Sequence, residues 1–167
     1  MDPDWQQLWQ RVTQEFQCDL TSVHGPAHWR RVERNGLLLA LRTGAIETVV
    51  RLFAVLHDSQ REHDGWDNTH GARAAAYAKT LRGVLFDLPD DQFDLLLYAC
   101  AWHTHGQLNE EPTIGTCWDA DRLDLGRVGM HPDARYMSTE FAREIAGMLD
   151  AYEQVAYRTT VTAILTP

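Results

Sequence analysis

Residues 52 to 56 read Leu-Phe-Ala-Val-Leu and run directly into His57-Asp58. An apolar run of this kind leaves a helix without a solvent face, so the segment from about Glu47 to Leu56 must be buried deeply at its end. The fold is then obliged to wrap other helices around it and to receive an ionisable pair in its interior. A bare carboxylate there costs several kcal/mol unless it is paired or bound to a metal ion. The chain contains a second His-Asp pair, His63-Asp64, as a control: it sits in REHDGWDN, among charges and beside Gly65, where water solvates it cheaply. The apolar run before His57, and not the dipeptide itself, marks the first pair as the one with a task.

The other hydrophobic periods are helical. Trp5, Leu8, Trp9, Val12 and Phe16 recur at steps of three and four and draw one stripe on a helix ending near Cys18. A second helix is expected from Pro26, whose locked φ suits the first helical position, to Gly44. After the buried third helix comes a polar loop from Gln60 to Asn68. Further helices are expected over about Thr69 to Arg82, Asp90 to Trp102, from near Thr116, and from about Ser138, where Ser138 or Thr139 can cap, to Tyr152. Thr48-Val49-Val50 and Thr159 to Thr162 are β-branched but lack an alternating partner segment. The reading is an all-α, compact bundle of six to eight helices, formed by one domain over residues 1–167.

Composition narrows the partners. Fifteen basic against 24 acidic side chains leave a net charge of −9, which opposes duplex nucleic acid and anionic membranes as partners. The three cysteines, Cys18, Cys100 and Cys117, are too few and too scattered for a disulfide framework or a zinc knuckle. The start, MDPDWQQLWQ, has neither a basic nor an apolar targeting segment, so a cytoplasmic protein is expected.

Eight histidines in so acidic a chain point to a site that brings its own positive charge. His28, His57-Asp58, His103 with His105, and Asp119 with Asp121 occupy separated, buried-looking positions. Imidazole and carboxylate together suit Mn, Fe, Co, Ni or Zn. His24 and His28 are four apart, but Gly25 and Pro26 intervene and no Glu follows His24, so this is not a zinc-protease helix. His103 and His105 would point about 200° apart on one helix and could not then both serve one ion, whereas an extended backbone would let them; Asp119 and Asp121 face the same choice.

The ordered set of His28 in HWRRV, His57-Asp58, His70, His103 and Asp119 in WDADRLD resembles the HD-domain superfamily of metal-dependent phosphohydrolases, over residues 24–130. The resemblance implies an α-helical fold and His28, His57, Asp58 and Asp119 as ligands of a first divalent ion. It implies His70 and His103 as ligands of a second where one is present, with Asp58 bridging; His105 is the alternative to His103. Where members of the small-protein branch often carry Asp after the first His of the motif, this chain has Gly25.

Two imidazoles and two carboxylates carry −2, which one divalent ion neutralises, and a second ion leaves about +2 in a dry pocket. The expected function is therefore a phosphomonoesterase, or a phosphodiesterase or pyrophosphohydrolase, that attacks a small phosphorylated compound such as a nucleotide with metal-activated water. Asp58, Arg61 and Arg122 are the candidate catalytic residues, and His24, Arg73 and Arg127 the candidate substrate contacts. Rival readings are a di-iron oxygenase of the HD type and a non-catalytic module that keeps its metal for stability.

Overall fold

The structure is a computed structural model that describes residues 3–165, with side chains through residue 152. Its elements are α1 (Trp5–Glu15), α2 (Pro26–Thr43), α3 (Glu47–Leu56), α4 (His70–Leu81), α5 (Asp90–Trp102), α6 (Pro112–Arg122) and α7 (Glu140–Leu165), with short 3₁₀ turns after α5 and between α6 and α7. The described residues contain no β-strand, only an isolated bridge between Arg82 and Phe86. Thr48 to Val50 and Thr159 to Thr162 both lie within helices. All three cysteines are free.

Local chemistry explains the boundaries. Asp4 accepts a hydrogen bond from the Gln7 amide and caps α1. Pro26 opens α2, and Gly44, at φ 72°, closes it in the left-handed region that favours glycine. The sixth helix begins four residues before Thr116, because Pro112 takes its first position and the Glu111 side chain accepts from the Ile114 amide at 2.6 Å. Thr139 precedes α7 and accepts from the Ala142 amide.

The third helix lies at the centre, packed by α2, α5 and α6, with α1 and α4 closing its sides. Val49, Val50 and every residue from Leu52 to Leu56 are essentially inaccessible to water. Burying each large aliphatic or aromatic side chain of that run stabilises the fold by about 1.5–3 kcal/mol. This burial holds His57 and Asp58 in place. No helix of the described residues is long and apolar enough to cross a membrane.

Candidate metal centre

Five helix ends converge on the end of α3. His28 stands in the first turn of α2, His57 caps α3 and Asp58 follows it, His70 opens α4, His103 follows α5, and Asp121 occupies the last turn of α6. Their polar atoms form two groups that share one residue. In the first, His28 Nε2 lies 3.1 Å from His57 Nε2, 3.2 Å from Asp121 Oδ1 and 3.6 Å from Asp58 Oδ2. His57 Nε2 is 3.6 Å from Asp58 Oδ2 and 3.8 Å from Asp121 Oδ1. In the second, His70 Nε2 lies 3.0 Å from both Asp58 Oδ1 and His103 Nε2, and His103 Nε2 is 3.6 Å from Asp58 Oδ1. The two oxygens of Asp58 thus face different histidine pairs.

The donor set passes a test of whether it fits metal ions. His57 Nδ1 donates to the Phe53 and Ala54 carbonyls, His103 Nδ1 to the Cys100 carbonyl at 2.8 Å, and His70 Nδ1 to the Asp67 carbonyl. Those acceptors select the neutral tautomer with a bare lone pair on Nε2. Such lone pairs point at each other between His70 and His103, an arrangement that repels unless a cation lies among them. Asp121 Oδ1 is buried and accepts no hydrogen bond. Bonds of about 2.0–2.2 Å to a shared ion place neighbouring ligand atoms roughly 3.0–3.6 Å apart, close to the spacings within both groups.

The electrostatics agree. Burial alone would raise the Asp58 carboxyl, but His57, His103, His24 and His70 around it hold it well below the usual carboxylate range. Burial pushes His57 down to about 3, so its ring is neutral at physiological pH. Burial also works against a proton on His28, but the Asp121 and Asp124 carboxylates outweigh it and raise the ring above its ordinary value.

An outer layer orients these ligands. Asp124 Oδ2 accepts from His28 Nδ1 at 2.7 Å, while its Oδ1 takes Arg31 Nε at 2.7 Å. Arg61 Nε donates to Asp58 Oδ1, and His24 Nδ1 lies 3.0 Å from Asp58 Oδ2. Outer carboxylates of this kind set the ring orientation and basicity of a ligating histidine. Two glycines permit the close approach. A Cβ on Gly25 would come within 3.0 Å of the Leu20 carbonyl oxygen, and one on Gly71 within 2.5 Å of the Cys100 oxygen. The latter lets α4 sit tightly enough on the end of α5 for His70 to meet His103.

No family model and no curated protein sequence matches the chain. Among solved structures it is similar to a predicted HD superfamily hydrolase from an uncultured Thermotogales bacterium, with a TM-score of 0.72 and 26% sequence identity. That likeness covers 97% of this chain and 92% of the other. The likeness supports an HD-superfamily fold for this chain.

Within this HD-type fold one expected ligand changes. Asp119 faces away from the histidines: its Oδ1 accepts from the Ser138 amide, and its Oδ2 from the Thr139 amide and hydroxyl, at 2.7–2.8 Å. It holds the start of α7, and burial raises its carboxyl against those bonds. Asp121, two residues on, enters the site in its place, because a helix turns residues two apart to different faces. His105 is exposed with its ring against Trp102, outside both groups.

The arginines also sort differently from the sequence expectation. Arg122, expected as a catalytic residue, gives Nη1 to the Tyr136 carbonyl and Nη2 to that of Gln107, so it ties two loops together. Arg73 donates to Gln60 O, Thr69 Oγ1 and Asp67, which staples the loop before α4 and keeps its guanidinium out of the central cavity. Arg61, Arg122 and Arg127 all line that cavity, together with His24. Asp124 and the two close-approach glycines were not among the expected site residues. The spacing of Asp124, three after Asp121 and so one helical turn further, was the available signal.

Proposed function

We propose that the protein is a metal-dependent hydrolase of phosphate esters, acting on a small phosphorylated compound at a site for two divalent transition-metal ions. The observation that carries this reading is Asp58, buried at the end of the core helix, with one oxygen toward His28 and His57 and the other toward His70 and His103. The solved relative, described as a predicted hydrolase, supports the reaction class.

His28, His57, Asp58 and Asp121 would hold one ion, and Asp58, His70 and His103 the other. Ions so held supply Lewis-acid charge and a water that is nucleophilic at neutral pH. The protein's own residues do the rest. Asp58, oriented by Arg61 and His24, keeps the two groups in register, and Asp124 holds the His28 ring with its Nε2 toward them. The surrounding helices exclude bulk water, which strengthens the attraction for a phosphate. Because the global charge of −9 is screened beyond a Debye length of about 8 Å, it does not prevent a small anion from entering. Hydrolysis adds a water oxygen to phosphorus and breaks the P–O bond to the alcohol, which leaves carrying one of the water protons.

Elemental analysis of the purified chain combined with phosphate release from a panel of mono- and diesters tests this. Two ions per chain are expected, and Asp58→Ala should abolish both metal and turnover. Undiminished hydrolysis by metal-free protein overturns the proposal. Substrate-dependent oxygen uptake by the iron-loaded chain, without phosphate release, assigns the same residues to oxygen chemistry instead.

A further inference from the structure

The ligand groups open into a cavity of about 620 Å³, lined at its inner end by His24, Asp58, His103 and Asp121. This volume falls in the range of about 300–1,000 Å³ typical of sites that enclose an organic ligand, so a phosphate group alone would leave most of it empty. The outer wall is mostly apolar, with Thr104, His131 and Asp133 set among larger apolar side chains. Trp66 from the loop before α4, Leu125 and Val128 from the 3₁₀ turn after α6, and Met130, Tyr136 and Met137 from the segment before α7 all face it. Trp66 is 89% exposed, Met130 57% and Tyr136 55%. Large apolar side chains scattered singly over a surface are unremarkable; several converging on one recess beside a polar centre mark a place where apolar ligand surface is received.

The charged side chains of the cavity are already engaged. Arg61 gives Nε to Asp58 and Nη1 to the Gly65 carbonyl. Arg122 is bonded to the Tyr136 and Gln107 carbonyls, and Arg127 gives Nε to Val23 O and Nη1 to Asp124 O. The sole lysine of the chain, Lys79, does not line the cavity. Beyond these tethered guanidinium groups a second or third phosphate of a polyphosphate would meet Thr104, His131, the like-charged Asp133 and a larger number of apolar side chains.

From this juxtaposition we infer that the substrate is a phosphomonoester with a single phosphate at the ligand groups and an apolar, alkyl or aryl body against Trp66, Leu125, Val128, Met130 and Tyr136. The inference rests on the phosphohydrolase reading above and names its substrate class. It predicts discrimination by apolar area: each methylene that leaves water on binding adds about fourfold to affinity.

The test is a series of methyl, butyl and hexyl phosphate, 1-naphthyl phosphate and tripolyphosphate with the metal-loaded full chain, followed by phosphate release. Calorimetric binding of the matching alkylphosphonates, which are not hydrolysed, runs beside it. With three to four of the five added methylenes expected to leave water, kcat/KM should rise about 60- to 250-fold from methyl to hexyl, with phosphonate affinity rising in parallel. Tripolyphosphate should be the poorest member. In a Val128→Asn, Met130→Asn double variant, whose altered side chains are both exposed, the increment per methylene should fall below about twofold. Turnover independent of chain length, or a preference for tripolyphosphate, overturns the inference and leaves the phosphohydrolase reading standing. Absence of turnover for every ester overturns that reading, and the inference with it.

Discussion

Asp119 and Asp121 sit on the same helix, two residues apart, and the structure assigns them opposite duties that one pair of variants separates. Asp119 accepts three hydrogen bonds from Ser138 and Thr139, two of them from backbone amides. Asparagine at position 119 keeps one acceptor oxygen and turns an NH₂ toward a donor. The loss is one charge-assisted bond, worth about 1.5–3 kcal/mol, together with a buried donor left unsatisfied. Asp119→Asn should therefore lower stability by about 2–4 kcal/mol, a fall in Tm of roughly 5–15 °C for a chain of this size. Its metal content should be unchanged. Asp121 Oδ1 instead faces His28 Nε2 at 3.2 Å and Arg127 Nη2 at 3.5 Å, so Asp121→Asn removes a charge from the ligand group and leaves the tie to the start of α7 intact. That variant should lose the ion of the first group, while the Ser138 and Thr139 bonds that Asp119 accepts stay in place. Calorimetry with and without chelator, with elemental analysis on the same samples, reads both quantities. If Asp119→Asn stays stable but loses metal, or Asp121→Asn retains its full complement, the assignment of the two acids is wrong.

Gly71→Ala would place a methyl 2.5 Å from the Cys100 oxygen, and reaching ordinary contact near 3.4 Å requires α4 to retreat by roughly 0.9 Å. Such overpacking costs about 1–3 kcal/mol, and it should widen the 3.0 Å separation of His70 and His103, so that one ion is retained and the other binds at least tenfold more weakly in metal titration. Burial works to raise the Asp67 carboxyl, but Arg73 and the Thr69 and Glu62 amides lower it below its ordinary 3.8. As pH falls, the unfolded chain takes up this proton first, so the stability from Asp67 is present in full above 3.8 and is lost only as pH drops toward the lower folded value. In metal-free protein the urea-midpoint gap between the parent and Asp67→Asn should be constant from pH 7 to pH 5 and shrink below 3.8; a gap that closes above pH 5 contradicts this.

How much of this was legible beforehand depended on whether a residue's partners were local. The Leu52 to Leu56 run announces its own burial, and His57-Asp58 inherits a position from it without knowledge of the rest of the fold. Pro26 and Gly44 mark both ends of α2 by their backbone preferences alone. Asp119 and Asp121 could not be separated in this way, because α6 is buried from Thr113 through Ala120 and no polar face indicates its orientation. What distinguishes the two acids is whether Ser138 and Thr139 or His28 lies opposite, and those are 19 to 93 residues away. Arg122, read as a catalytic residue, could not be placed for the same reason: its acceptors are the backbone carbonyls of Tyr136 and Gln107, which no residue type advertises.

The carbonyl oxygen of Cys100 receives the Nδ1–H of His103 and is also the atom that a side chain at position 71 would strike. One peptide oxygen therefore enters two separate requirements, the tautomer of one ligand and the approach of the helix that carries another. In evolutionary terms, glycine at 71 and the histidines at 70 and 103 are expected to be inherited as one character. Descendants that dispense with the second ion are released from all three positions together, so in homologous chains a larger residue at 71 should accompany the loss of either histidine.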